Sequence, residues 1–148
     1  MLEALSISLN KAAVLGFVIY ILGAAVLFAL FQFIYTRITP HKEFELIRAG
    51  NVSASVALGG AIIGFAIPAS NVIAYSISLL DFVVWSVIAA VVQLLAFLLT
   101  SLVLKGTSER IKNGEVAAGI YVAAVAISVG MLNAACMTPT QYLSLIHI

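Results

Sequence analysis

The side chains of this chain that could perform chemistry are few and scattered. They are polar or ionisable residues inside or beside apolar stretches, namely His41, Glu43, Asp81, Gln93, Asn133 and Cys136. Removing such groups from water costs free energy unless a partner is supplied, so each is a candidate for function. They form no Ser/His/Asp or Cys/His set and no pair of carboxylates within an apolar stretch, and the chain has no glycine-rich phosphate loop. An enzyme is therefore the least favoured class.

Each candidate also has an ordinary structural interpretation. Gln93, with Ser86 on the same helical face, is expected to make an interhelical hydrogen bond worth roughly 1 kcal/mol. We expect Asp81 to cap the N-terminus of a helix. His41 follows a proline in a charged loop, which favours a turn or a lipid headgroup contact over a ligand or a proton relay. Cys136 is the single cysteine and lies in an apolar context, so a buried, inert thiol is expected.

The composition identifies the elements that must position these residues. Of the 148 residues, 64% are hydrophobic and only 9% are charged, which is too few charges for the surface of a soluble domain. The net charge of +1 provides no basic field for nucleic acid, and no His/Cys group has metal-ligand spacing. We therefore predict no metal, no cofactor and no nucleic-acid partner.

Four apolar stretches are long enough to cross a bilayer. A hydrocarbon core of ~30 Å requires ~20 helical residues. The stretches lack internal Asp, Glu, Lys and Arg, and they cover about 13–35, 52–74, 82–104 and 116–137. The sequence thus predicts an all-α membrane protein with four transmembrane helices in a single membrane domain, residues 1–142.

An internal similarity organises these helices. Residues 45–54 match residues 109–118 without gaps at five of ten positions, and Arg48 aligns with Lys112. The same offset of 64 residues pairs Phe33 with Phe97 and Thr36 with Thr100. We infer two tandem helical hairpins of parallel orientation, repeat 1 at about 13–76 and repeat 2 at about 77–140.

Glycines mark two features of each predicted hairpin. Gly50 and Gly114 are expected to end a short helical turn at the membrane surface, although a plain loop is an equally good interpretation. Small residues spaced by three and four also form one stripe on each second helix, and its glycines are Gly60, Gly64, Gly119 and Gly130. These stripes predict close packing of the two helices, and a conduit lined by small residues is the alternative.

The basic residues predict an orientation. Six of the seven lie between the first and second or the third and fourth apolar stretches, whereas Lys11 lies alone on the other side. Cytoplasmic loops carry the excess of Lys and Arg, so both termini are expected to face away from the cytoplasm.

Several motifs resemble a known family. The strings Tyr35-Thr-Arg-Ile-Thr-Pro-His-Lys-Glu43, Gly64-Phe-Ala-Ile-Pro68 and Asn133-Ala-Ala-Cys-Met137, with Asp81 and Trp85 four residues apart, are similar to those of the bacterial inner-membrane family called domain of unknown function 350, the YjfL-like proteins. The resemblance covers almost the whole chain. It implies four spans in a bacterial inner membrane and no established activity.

The last six residues depart from that resemblance. Leu143-Ser-Leu-Ile-His-Ile148 matches the in-frame translation of a common transposon-based sequencing adapter. We expect residues 143–148 to be an artefact of a metagenomic read, with the natural sequence interrupted at about Tyr142.

Two functions remain open. The similar charged loops, residues 37–51 and 105–115, favour a membrane anchor or assembly subunit for a cytoplasmic protein partner. The small-residue stripes with Gln93 and Asn133 favour a small channel or transporter component, which would need a homo-oligomer because four short spans leave little room for a hydrated path. In both cases the lipid bilayer is the surrounding partner.

Overall fold

The computed structural model describes residues 10–137, and all regular secondary structure in this range is helical. In chain order the helices are α1 (Lys11–Ile38), α2 (Glu43–Arg48), α3 (Val52–Tyr75), α4 (Leu79–Val103), α5 (Thr107–Lys112) and α6 (Val116–Cys136). The four long helices, α1, α3, α4 and α6, are long and apolar enough to cross a membrane. The prediction of an all-α membrane protein with four spans is confirmed. The predicted artefact at residues 143–148 lies outside the described residues.

Polar side chains cap three of the long helices. Asn10 accepts a hydrogen bond from the Ala13 amide at 2.8 Å at the start of α1, and Asn51 caps α3 in the same way. At the start of α4 the cap is Ser78, whose hydroxyl accepts from the Asp81 amide at 3.1 Å. The expectation that Asp81 is the cap was therefore wrong. Because the Ser78 hydroxyl accepts from a backbone amide of the first turn, α4 begins at Leu79, before the predicted apolar stretch. Asp81 lies within that first turn.

The segments before Gly50 and Gly114 are helices, α2 and α5, and both end in the same way. Each glycine has a positive φ, 84° and 77°, which a side chain would disfavour. The glycine amide donates to the carbonyl three residues earlier and the next amide to the carbonyl five residues earlier, all four at 2.9 Å. This Schellman arrangement satisfies carbonyls at the helix end. The tandem duplication itself stays a prediction.

The centre of the bundle is the contact between α3 and α6, the most extensive between any two helices. A Cβ added to Gly60 would overlap Ala123, and one added to Gly130 would overlap the backbone of Gly64. Gly119 lies equally close to the Ser53 backbone. The predicted small-residue stripes thus occupy this interface, where the two backbones approach closely enough to exclude any side chain.

The helices α4 and α1 pack outside this pair. Aromatic rings attach α1, with Phe31 stacked on Phe65 of α3 at 4.3 Å between centroids and Tyr35 edge-on to Phe97 of α4 at 5.2 Å. Elsewhere α1 presents exposed apolar side chains such as Phe17. These outward faces suit a lipid environment.

Candidate functional site

The loop between α1 and α2 places His41 in a buried cluster. The imidazole is only 3% exposed, because α5 covers it from the other half of the chain. Its Nδ1 lies 2.7 Å from the Ser108 Oγ on α5, and its Nε2 lies 3.5 Å from the Glu43 Oε1. His41 lies in a bend, in agreement with the expected turn, but its burial shows that the alternative, a lipid headgroup contact, was wrong. The ring connects α2 to α5 instead.

Glu43 is the first residue of α2 and is also buried, at 2% exposure. Within residues 10–137, no hydrogen bond of good geometry reaches either carboxylate oxygen or the His41 Nε2. Burial raises the pKa of Glu43 from its ordinary value of 4.5 to about 7, and the nearby Thr39 hydroxyl offsets part of that rise. Burial, together with the charge of Lys112, lowers the pKa of His41. The cluster of His41, Glu43 and Ser108 is called the loop cluster below.

A second set of hydrogen bonds joins the ends of α2 and α5. The Asn51 side chain donates from Nδ2 to the Ile111 carbonyl at 2.8 Å and to the Lys112 carbonyl at 3.2 Å. Just after it, the Ser53 hydroxyl donates to the Glu115 carbonyl at 2.7 Å. These bonds and the loop cluster hold residues 41–51 and 107–115 side by side. We call this surface the loop platform.

An open groove of about 430 Å³ runs between the two glycine turns of the loop platform. Its lining comes from both loops and includes Ala49, Gly50, Asn51, Asn113 and Gly114. Because the lining combines backbone groups, amide side chains and small apolar residues, the groove suits a polypeptide segment better than a compact apolar ligand.

The exposed surface of the loop platform carries both signs of charge. Lys42, just before α2, pairs with Glu45 at 2.9 Å, and Lys112 pairs with Glu109 at 3.0 Å on α5. Arg110 forms a two-bond pair with Glu115, which lowers the pKa of the Glu115 carboxyl. Such exposed pairs contribute little to stability, so the charge pattern is available for recognition.

Gln93 and Asn133 lie in the bundle interior. The Gln93 Nε2 donates to the Ala126 carbonyl at 2.9 Å, and the Asn133 Nδ2 lies 3.5 Å from the Ala89 carbonyl. The structure thus places both side chains between α4 and α6. Within the described range, the Gln93 Oε1 and the buried Ser86 hydroxyl have no hydrogen-bond partner. Ser86 also lines a crevice of about 150 Å³ between α1, α3 and α4.

Cys136 is exposed, so the expectation of a buried thiol was wrong. It is the last residue of α6, whereas Ala134 and Asn133, two and three residues earlier, are buried. Its thiol consequently points away from the packed interior.

Sequence reasoning missed Ser108 and Asn51 as members of the site. Ser108 carries no local signal, because its role depends on a contact with His41, 67 residues away. Asn51 directly follows a left-handed glycine at the start of an apolar helix, and that position could have identified it as a cap. Within residues 10–137, no three His, Cys, Asp or Glu side chains lie together as a possible metal site.

Comparison with known proteins agrees with this architecture. The family model described as Domain of Unknown Function (DUF350) matches residues 8–137. The chain is 39% identical over 126 residues to the UPF0719 inner membrane protein YjfL of Escherichia coli strain K12, covering 85% of this chain and 96% of that relative. The protein of the same name from Escherichia coli O157:H7 matches equally well. No solved structure matches the chain. The family match and this relative show that the chain belongs to the DUF350 family.

Proposed function

We propose that this protein is a multi-pass protein of the bacterial inner membrane that anchors or assembles a cytoplasmic protein partner and has no catalytic activity of its own. The inner-membrane location is supported by the name of the Escherichia coli relative and by the four apolar helices. The partner would bind the loop platform, which includes most of the loops at residues 37–51 and 105–115.

One observation carries the proposal: the loop platform is a single surface built from both halves of the chain. The His41 to Ser108 contact joins α2 to α5 at one end, and the Asn51 to Ile111 bond joins them at the other. Two short helices held at both ends present their charges in a fixed arrangement. Preorganisation of this kind lowers the entropic cost of binding a folded partner.

The charges favour a protein over a lipid surface as the partner. The side chains of Glu45 and Glu109 are 65% and 71% exposed on this platform. Each of these carboxylates is paired with a lysine, so the platform presents alternating charges, whereas segments that bind anionic headgroups carry clusters of Lys and Arg. A folded protein can complement alternating charges and insert a loop into the groove between the glycine turns.

The proposed orientation places the loop platform in the cytoplasm and both termini on the other side. It is supported by six Lys and Arg residues in the loops at the platform end. A reporter active only in the cytoplasm, fused after α6, should be inactive. The same reporter inserted into the turn after Gly50 should be active, and the reverse pattern would overturn the orientation.

Site-specific photo-crosslinking in cells tests the anchor. A photoreactive amino acid replaces Lys42 in one variant and Glu109 in another, with Ile77, 94% exposed in the loop between α3 and α4, as the control. We expect one and the same protein, identified by mass spectrometry, to be captured at both platform positions and not at Ile77. Different proteins at the two positions, or lipid alone, would contradict the anchor.

A groove-filling variant makes this test specific. Ala49→Trp occupies the groove, whereas Leu102→Trp adds the same side chain at an exposed position of α4. The first should abolish capture at Lys42 and Glu109, and the second should leave it unchanged. Capture that survives Ala49→Trp would place the contact outside the groove.

A conduit is the second candidate, favoured by the unpartnered Ser86 hydroxyl and Gln93 Oε1 in the bundle. The close contact of α3 with α6 leaves no space for a path between them, so a path would run beside α4 or between copies in a homo-oligomer. Cysteine-accessibility scanning along α4 and α6 in a Cys136→Ser background tests it. Labelling past Gln93 along one face by an impermeant thiol reagent would support a conduit, and labelling confined to the helix ends would exclude it.

A further inference from the structure

We propose that His41 and Glu43 together form a binding site for one proton and that loss of this proton weakens the attachment of α2 to α5. The anchor function proposed above uses the contact of His41 with Ser108 but assigns no role to Glu43 or to a bound proton, and the inference holds whether or not a partner binds the loop platform.

The geometry that supports the site is a pair of ionisable groups buried together with an incomplete set of hydrogen bonds. Both side chains are 1% exposed, and the His41 Nε2 and Glu43 Oε1 are separated by 3.5 Å. A buried carboxylate without donors is costly, whereas a carboxylic acid beside an imidazole nitrogen can form one good hydrogen bond. The pair is therefore arranged to hold a proton.

The hydrogen bonds through His41 have opposite directions in the two states. With the proton bound, Glu43 donates to the His41 Nε2, and the Nδ1–H donates to the Ser108 hydroxyl oxygen. When the proton leaves to water, the tautomer reverses: the Nε2–H donates to the Glu43 carboxylate, and the Ser108 hydroxyl donates to Nδ1. The hydrogen bonds of His41 are complete in both states. In the deprotonated state, however, a charged carboxylate is buried with a single donor.

The neighbouring groups do not neutralise that charge. Lys112 on α5 is the cation that acts on His41, and it is already paired with Glu109. From α1 the neighbours are the Tyr35 phenol, which interacts with the Glu43 charge, and the Thr39 hydroxyl. The apolar helices α3 and α6 contribute no charged side chain. Release of the proton should therefore open the first turn of α2 to water, at the contact that joins the two halves of the chain.

The first test is an infrared titration of the full chain in lipid vesicles from about pH 5 to about pH 9, a range that spans the expected transition. We expect a carboxylic acid band that disappears with a midpoint near pH 7, where burial puts the pKa of Glu43. Glu43→Gln should abolish the band, and the matched Glu45→Gln, which alters an exposed carboxylate on the same helix, should leave it. The wild-type titration needs no substitution, so it can refute the proposal even when Glu43→Gln does not fold.

The second test follows hydrogen exchange in α2 and α5, corrected for the intrinsic effect of pH. Protection of both helices should fall by about tenfold at high pH when loss of the proton weakens their contact by the free energy of one pKa unit. Glu43→Gln, a neutral mimic, should keep its protection at high pH. In Ser108→Ala the carboxyl band should still titrate, but the protection of α5 should no longer depend on pH.

Two outcomes would overturn the proposal. One is a Glu43 carboxyl that titrates in the ordinary range of exposed glutamates, which would show that the site holds no proton near neutrality. The other is a wild-type protein whose α2 and α5 keep equal protection on both sides of the titration, which would show that the proton does not control the contact.

Discussion

The two loops of the platform share a backbone but differ in chemistry. Both contain a six-residue helix followed by a left-handed glycine and the same pair of closing hydrogen bonds. At the first helical position, however, the first loop buries the ionisable Glu43, and the second buries the neutral Thr107, whose hydroxyl donates to the Leu104 carbonyl. The comparison teaches that a local backbone motif can be kept while one side chain converts a neutral contact into a titratable one.

The residue after each glycine shows the same separation of backbone from chemistry. Asn51 caps α3 and also reaches across to the end of α5. The equivalent Glu115 makes no capping bond and pairs with Arg110 of its own loop instead. The Asn51 side chain of the first loop therefore bonds to the second loop, whereas the Glu115 side chain pairs within its own loop.

The largest effect should come from making the second loop resemble the first. Thr107→Glu would bury a carboxylate at a position that is 4% exposed and has Lys105, not a histidine, two residues before it. We expect a loss of about 3 kcal/mol in unfolding free energy at neutral pH, the cost of a poorly paired buried charge. Unfolding in mixed detergent micelles would measure it. The neutral Thr107→Gln is the control for volume, and equal losses in the two variants would refute the charge argument.

The second-largest effect should be a pH dependence of stability that Glu43 gives to the first loop. The pKa of Glu43 is raised from 4.5 to about 7, so its stabilising contribution is complete below about pH 4.5 and is lost as the pH rises through about 7. A shift of this size corresponds to roughly 3 kcal/mol. The lowered pKa of His41 acts in the opposite sense, since stability falls as the pH drops below 6.5. The quantity to measure is therefore the difference between wild type and Glu43→Gln, and a difference that does not change with pH would contradict the assignment.

Truncating the residues after the glycines should give a smaller, unequal pair of effects. Asn51→Ala removes a helix cap and the bond to Ile111, so we expect a loss of about 1–2 kcal/mol. Glu115→Ala removes only an exposed ion pair, so we expect a smaller loss. Unfolding free energies of the two variants in the same micelles provide the comparison. Equal losses would mean that Asn51 does not join the loops.

The glycines should give the smallest difference between the two loops. Gly50→Ala and Gly114→Ala each place a side chain on a left-handed backbone with open space around it. Each should cost about 1 kcal/mol, through conformation alone. Unequal unfolding free energies would show that the two turns differ in strain, and the comparison of backbones would then fail.

Much of the fold could be predicted from local sequence, because length and hydrophobicity decide which segments can cross a bilayer. All four spans begin and end within about three residues of the predicted bounds for this reason, and α4 begins slightly early, where Ser78 caps it. The glycines indicated the ends of α2 and α5, since a left-handed residue at a helix end favours glycine. The small-residue stripes likewise indicated which faces of α3 and α6 meet, because packing in lipid depends on close backbone approach.

The sequence by itself determined the membrane class, the four spans and the glycine-terminated ends of α2 and α5, all of which follow from properties of contiguous residues. Only the tertiary structure decided that His41 and Glu43 are buried and that Cys136 is exposed. The physical reason is that the environment of a polar side chain depends on which distant segment covers it. Here α5 covers the loop that precedes α2, while the Cys136 side chain at the end of α6 is left uncovered within the described residues, and no local pattern encodes either environment.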